Sequence, residues 1–160
     1  MIEVIPFDKK YTTDFKRLNL EWLQTFFTVE PYDEFQLSNP VIEIIDKGGY
    51  IFLAKEGVHI TGTVALMKEA TGSYELTKMS VTGSSQGKGI SKLLMEKCIV
   101  LARQQRWQRL FLYSSTLLVP AINLYRKYGF REIPLERSSQ YRRTNIKMEL
   151  QFNTTDGVIN

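Results

Sequence analysis

The stretch from Tyr74 to Glu96 constrains the fold more than any other part of the chain. It begins with the alternating apolar residues of a strand, passes through a glycine-containing turn, and continues with apolar residues at the three- and four-residue spacing of a helix. A helix that starts in this way has unpaired N–H groups at its first turn, which bind phosphate together with the helix dipole. Gly87 and Gly89 leave the backbone accessible, and Lys88 adds positive charge. We therefore predict a phosphate-cofactor site here.

The spacing of the turn residues narrows the choice of cofactor. The nucleotide-triphosphate motif is absent, and the dinucleotide motif G-x-G-x-x-G lacks its third glycine. The residues present are Gln86-x-x-Gly89-x-Ser91, which resembles the Q/R-x-x-G-x-G/A motif of the GNAT superfamily of N-acetyltransferases. Ser91 departs from the glycine or alanine of that motif but is also small. An ordinary strand–helix turn has a similar composition, so the interpretation needs a second motif.

The second motif lies at residues 121–130, AINLYRKYGF. It is similar to the A-x-x-L-Y-x-K-x-G-F stretch that follows the coenzyme motif in many GNAT acetyltransferases. Residues 145–150 resemble the last strand of that family. With both motifs in the family's order, the chain is identified as a GNAT member over residues 74–150, whereas its first half matches only in the order of elements.

The resemblance implies acetyl-coenzyme A as co-substrate and no metal. It places the coenzyme along Met79, Ser80, Val81, Gln86, Gly87, Lys88, Gly89, Ile90 and Ser91. The motif tyrosine, Tyr125, is then expected to protonate the departing thiolate, with a core aromatic as the alternative. At Leu118 the chain lacks the asparagine that contacts the coenzyme in many relatives.

A catalytic base is expected at Glu75, which occupies the position eleven residues before Gln86 that carries a glutamate in some relatives. Strand alternation predicts that Glu75 shares a face with Thr77, Met79 and Val81. An exposed carboxylate with no catalytic role is the alternative, and many relatives deprotonate the amine through water instead.

The order of elements predicts a mixed α/β (α+β) GNAT-like fold. Its central sheet is expected to be mostly antiparallel, with one parallel strand pair around residues 74–113 and with flanking helices. We expect one domain over residues 1–152, since 160 residues suit a single core, and a frayed polar tail over 153–160.

Cysteine and histidine contents exclude several chemistries. Cys98 and His59 are the only residues of their types, which excludes Cys/His metal clusters and an internal disulfide and disfavours a histidine-based triad. The lone cysteine favours a reducing compartment. No segment has the apolar length of a membrane span or the pattern of a signal peptide, so we predict a cytoplasmic protein without membrane contact.

Charge is divided unevenly along the chain. Residues 1–75 carry 7 Lys/Arg and 12 Asp/Glu, whereas residues 76–160 carry 14 Lys/Arg and 5 Asp/Glu. In the family the N-terminal helices supply the acceptor walls, and here they lie in the acidic half, so we predict a small cationic primary amine, free or on a peptide, as acceptor. The expected acceptor contacts are Trp22, Glu30, Asp33 and Glu34. A homodimer is left open.

Two alternatives remain at this point. A GNAT fold without catalysis would act as an acyl-coenzyme A sensor. The basic half could instead bind nucleic acid through Arg103, Arg106, Arg109, Arg142 and Arg143, but no nucleic-acid-binding motif supports this, so we disfavour it.

Overall fold

The computed structural model describes residues 1–136 and 143–152. Its strands are β1 (Ile2–Pro6), β2 (Tyr50–Glu56), β3 (His59–Ala70), β4 (Ser73–Val81), β5 (Arg109–Ser114), β6 (Arg131–Ile133) and β7 (Ile146–Gln151). Its α-helices are α1 (Thr12–Phe26), α2 (Pro31–Ser38), α3 (Ile90–Gln104) and α4 (Val119–Lys127). Arg142 and the predicted tail over 153–160 lie outside the described residues.

The strands form one twisted sheet in the order β1-β2-β3-β4-β5-β7-β6. Within the described ranges, β4 and β5 are the parallel pair and every other neighbouring pair is antiparallel. The parallel pairing arises because α3 connects β4 to β5 and returns the chain to the end of the sheet at which β4 begins. The prediction of a mixed fold with a mostly antiparallel sheet and one parallel pair is therefore confirmed.

The first half of the chain supplies the helices α1 and α2 and one irregular turn. Helix α2 begins at Pro31 and has a capping box, in which the Asp33 carboxylate accepts a hydrogen bond from the Glu30 N–H at 2.9 Å. A further helical turn follows Pro40, and it is a π turn over Val41–Ile45. Such wide turns are rare and have no reliable sequence signal.

Apolar residues pack on both faces of the sheet. One core cluster joins α3 and α4 to the sheet and contains Leu94, Cys98 and Leu112, whereas the other joins α1 and α2 to the opposite face and contains Phe15 and Leu37. These named side chains are all buried. The Cys98 side chain is fully enclosed, and burial raises the pKa of its thiol above the ordinary value. Strand β4 contacts both α1 and α3, and so lies between the two helical layers.

Among the residues that the structure describes, no helix is long and apolar enough to cross a bilayer.

Candidate active site

Strands β4 and β5 pair over a short distance and then separate. Their parallel register runs from Ser73 opposite Arg109 to Glu75 opposite Phe111, although β4 continues to Val81. Where parallel strands separate at their carboxyl ends, a crevice opens that is suited to a ligand. A cavity of about 550 Å³ lies here, and both strands contribute to its lining.

A β-bulge interrupts β4 where it borders the cavity. The pairing with β3 shifts between Thr63, which faces Ser80, and Ala65, which faces Thr77. Lys78 lies at the bulge with φ of +53°, in the left-handed region that non-glycine residues seldom occupy. The bulge inserts one extra residue, so the side chains on either side of it change faces.

The bulge corrects one prediction about Glu75. Leu76 lies in the core cluster under α3 and α4, and Met79 and Val81 pack against that same cluster. Glu75, adjacent to Leu76 in the regular part of the strand, therefore lies on the opposite face. The predicted shared face for Glu75, Met79 and Val81 is wrong, because simple alternation assumes a strand without a bulge.

Two buried polar side chains from neighbouring elements hold the bulge. The Thr63 hydroxyl donates a hydrogen bond to the Lys78 carbonyl at 2.8 Å, and the Asn19 amide donates to the Thr63 hydroxyl at 3.2 Å. Thr63 is completely buried and Asn19 nearly so. Since buried polar groups are costly unless bonded, this chain from α1 through β3 to β4 favours the irregular backbone over a regular strand.

One side of the cavity, which we call the loop side, is formed by the glycine turn and the first residues of α3. Gly87 and Gly89 have φ of +85° and +77°, which favour glycine at both positions. A Cβ atom at either position would meet no atom within 4 Å, so the space beside this backbone is open. The predicted coenzyme residues that line the cavity are Met79, Ser80, Val81, Gln86, Gly87, Gly89, Ile90 and Ser91.

Charged side chains fix the two flanks of the glycine turn. Lys88 is directed to Glu56, with 3.0 Å between Nζ and Oε2, and is not part of the cavity lining. Glu21 accepts hydrogen bonds from the Gly83 N–H at 3.1 Å and from the Thr82 hydroxyl at 3.2 Å. Glu21 therefore ties the start of the turn to α1, a contact that the local motif does not indicate.

Helix α4 forms another wall of the cavity. It contributes Pro120, Ala121, Leu124 and Tyr125, with Leu118 at its N-cap. Tyr125 packs against Phe130, with 5.9 Å between ring centroids. Burial raises the pKa of Tyr125 to about 12, so its hydroxyl carries its proton at neutral pH. The tyrosine is thus both a packing residue and a proton-bearing group in the cavity.

The other side of the cavity, which we call the aromatic side, holds groups of both charges. Its residues are Trp22, Phe26, Phe27, Asp33, Glu75, Lys78 and Arg143. Burial raises the pKa of Glu75 to about 6, and the nearby ammonium groups of Lys78 and Lys147 oppose that rise. Burial lowers the pKa of Lys78 to about 8, against the attraction of Glu75 and Asp33. A carboxylate that titrates near neutral pH in a cavity is a candidate general base.

The acidic residues of the first half are held by cations. Arg143 donates to both carboxylate oxygens of the buried Asp33 at 2.7 and 3.0 Å, and to Glu30 at 3.2 Å. Glu34 is exposed and pairs with Lys16 at 3.5 Å. Of the four predicted acceptor contacts, Trp22 and Asp33 line the aromatic side of the cavity. Glu30 and Glu34 are not part of the lining.

Comparisons with known proteins agree with this architecture. The model of the acetyltransferase (GNAT) domain matches residues 47–132, which is more than half of the chain. The chain therefore belongs to the GNAT family of acetyltransferases, and the predicted membership in this class of acyltransferases is confirmed.

Individual relatives show how far the likeness extends. The chain is 29% identical over 92 residues to N-acetyltransferase 8B of Rattus norvegicus, a match that covers 54% of this chain and 41% of that protein. The chain thus spans less than half of that curated relative. A GNAT acetyltransferase of Staphylococcus aureus Mu50 superposes with a TM-score of 0.85 at 23% identity, covering 94% of this chain and 99% of that one.

A third similar protein was solved with a ligand. The PaiA N-acetyltransferase of Thermoplasma acidophilum, in complex with coenzyme A, superposes with a TM-score of 0.74 at 16% identity and covers 95% of this chain and 99% of that one. At such identities, the two solved structures support the fold alone.

Proposed function

We propose that this chain transfers the acetyl group of acetyl-coenzyme A to a small primary amine, by direct attack of the amine on the thioester in a ternary complex. One observation carries the proposal. A single cavity joins the glycine turn and α3 to the Glu75 carboxylate, with the β4 bulge and Tyr125 also in its lining. Both substrates could therefore occupy one continuous space.

The loop side fits the coenzyme. The open backbone beside Gly87 and Gly89 and the N-terminus of the fifteen-residue α3 offer N–H donors and a favourable dipole to a pyrophosphate. We assign Gln86, Gly87, Gly89, Ile90 and Ser91 to the pyrophosphate. Lys88 is retained only as a nearby positive charge, since Glu56 holds its ammonium group.

The bulge and the two titrating residues supply the chemistry. We assign backbone N–H groups of Met79, Ser80 and Val81 to the pantetheine arm and to the thioester oxygen, on which negative charge develops. The amine must lose a proton to become a nucleophile, and Glu75 accepts it, directly or through water. The amine nitrogen bonds to the thioester carbon, the C–S bond then breaks, and Tyr125 gives its proton to the leaving sulfur. The nitrogen loses a second proton as the amide forms, and this proton restores Tyr125 through water.

The charge division along the sequence also predicts a cationic acceptor. In the structure, however, Glu30 and Asp33 bind Arg143, and Glu34 pairs with Lys16. We therefore restrict the positive charge of the acceptor to the amine itself, next to Glu75. Trp22 and Asp33 remain proposed wall residues of the acceptor site. Glu30 is assigned the role of holding Arg143 in place, and Glu34 that of holding Lys16.

Two arginines of the basic half are engaged within the fold. Arg109 pairs with Glu149 at 2.7 Å and Arg143 pairs with Asp33 at 2.7 Å. Two of the arginines that a nucleic-acid-binding protein would use are thus already bonded to carboxylates. This favours the acetyltransferase over the nucleic-acid alternative.

The test of the proposal is turnover over a library of primary amines. The full chain is incubated with acetyl-coenzyme A and each amine, and amine-dependent release of free coenzyme A is measured together with the mass of the acetylated product. Acetylated product supports the proposal. A protein that is stabilised by acetyl-coenzyme A but acetylates no amine would instead be a sensor.

A further inference from the structure

Three aromatic side chains form a cluster at the C-terminal end of α1. The Trp22 ring lies 5.6 Å from the ring centroids of both Phe26 and Phe27. All three line the same cavity as Glu75. Phe26 is 52% exposed, so this cluster is an accessible wall of the cavity and not only a part of the core.

The loop before α4 adds apolar surface to the same cavity. Leu117 is 82% exposed and Leu118 partly exposed, and both belong to the cavity lining. Exposed apolar residues that occur singly are ordinary, whereas several that line one cavity favour the binding of an apolar ligand there. Phe35 on α2, which is 53% exposed, lies outside this lining and illustrates the ordinary case.

The charges of the cavity disfavour an acceptor with a second positive group. Lys78 and Arg143 both line the aromatic side, and Arg143 lies over the Phe27 ring at 5.9 Å. A second cationic group on the acceptor would meet the like charge of Lys78. It would gain little from Glu30 and Asp33, because Arg143 already binds both carboxylates, and the charge of Arg143 is in turn offset by theirs.

From this combination we infer that the acceptor is a primary amine with an uncharged aromatic body, an arylalkylamine in chemical terms. Its ring lies against Trp22 and Phe26, and its amine faces Glu75. The inference rests on the proposed acetyl transfer and deepens it. An aromatic ring suits this wall because offset or edge-on contacts with Trp and Phe add to the burial of apolar area.

The test compares amines of different bodies on three proteins. The acceptors are 2-phenylethylamine, ethanolamine, 1,4-diaminobutane and phenylalanine, and the proteins are the unchanged chain, Phe26→Ala and the matched control Phe35→Ala. The two replaced rings are almost equally exposed, so loss of stability should be similar and is checked by thermal melting.

We expect the unchanged chain to have its highest kcat/KM with 2-phenylethylamine. In Phe26→Ala, the ratio of kcat/KM for 2-phenylethylamine to that for ethanolamine should fall roughly tenfold, as expected for lost apolar contact in a binding pocket. Phe35→Ala should leave this ratio within about twofold. The KM for acetyl-coenzyme A should not follow the change, because the loop side is intact.

The outcomes separate the inference from the function on which it rests. A preference for diaminobutane, ethanolamine or phenylalanine, or a ratio that Phe26→Ala does not alter, overturns the aromatic acceptor and leaves acetyl transfer standing. Failure to acetylate any amine across the wider library, with coenzyme binding retained, overturns both.

Discussion

The hydroxyl of Thr63 donates a hydrogen bond to the backbone carbonyl of Lys78 across 2.8 Å, at the point where β4 departs from regular pairing. This bond spans two strands and stabilises a left-handed lysine, a conformation that costs a residue with a side chain of order 1–3 kcal/mol. The same segment is the one that we assign to the thioester. The geometry of the proposed site thus depends on a residue outside both sequence motifs.

Thr63→Val should impair turnover more than coenzyme affinity. Valine keeps the shape of threonine but removes the donor, so the free energy of unfolding should fall by roughly 1–3 kcal/mol. Because a small displacement of reacting groups is costly, turnover should fall roughly ten- to a hundredfold. Denaturant unfolding, steady-state kinetics and coenzyme titration measure the three quantities. Thr63→Ser keeps the hydroxyl and should retain most of the activity, whereas unchanged turnover in Thr63→Val would show that the bulge does not need this bond.

The raised pKa of Glu75 predicts that the rate at saturating acceptor falls at low pH, which gives the pH profile an acid limb. Burial raises its pKa to about 6, so the carboxylate is ionised above that pH and protonated below it. Only the ionised form accepts the proton of the amine, so the rate should fall about tenfold per pH unit below about 6. Stopped-assay rates between pH 5 and 9 measure this limb. Glu75→Gln should lose the limb and retain a low rate, and the same limb in that variant would transfer the role to another group.

Gly89 predicts the response to the coenzyme. At about a hundred times its dissociation constant, acetyl-coenzyme A should stabilise the folded chain by roughly 2.7 kcal/mol and raise the melting temperature. Gly89→Glu should abolish this shift, since its side chain fills the open space beside the loop and repels phosphate. The control is Gly72→Glu, at the opposite end of β4 with a similar φ of +76°, which imposes comparable strain away from the loop. If both variants keep the shift, the loop is not the coenzyme site.

Removal of the Tyr125 hydroxyl should lower the rate of acetyl transfer without affecting the fold. Tyr125→Phe removes only the hydroxyl, and a general acid contributes about a hundred- to ten-thousandfold to a rate. Coenzyme affinity and melting temperature should be nearly unchanged. Tyr128→Phe is the matched control. Tyr128 lies at the C-terminal end of α4, its hydroxyl bonds to Glu96, and it is not part of the cavity lining. Equal turnover in the two variants would leave Tyr125 with a packing role only.

Local chemistry explains which parts of the fold could be predicted from the sequence. The turn at Gly87 and Gly89 and the period of α3 depend on neighbouring residues, and the structure has both of them where the sequence indicates. The parallel β4–β5 pair follows from the helix between them. These features need no knowledge of distant contacts.

The aromatic side of the cavity could not be predicted in the same way. Arg143 reaches Asp33 across 110 positions of sequence, and a count of charges in each half does not reveal such a pair. The bulge at Lys78 depends on Thr63 and Asn19, which belong to two other elements. Lysine has no preference for a left-handed backbone, so the sequence does not indicate a bulge at Lys78. Simple strand alternation therefore predicted the wrong face for Met79 and Val81.

The enclosure of Cys98 has a practical consequence for following both the reaction and the fold. It is the sole cysteine of the chain, and its side chain has no accessible surface. A disulfide reagent that is coloured by thiols will therefore react with the coenzyme A set free in each turnover and not with the folded protein. In denaturant, the same reagent will reach Cys98 only after α3 has separated from the sheet. The same colour change thus measures the rate of coenzyme A release in buffer and the rate at which α3 separates from the sheet in urea.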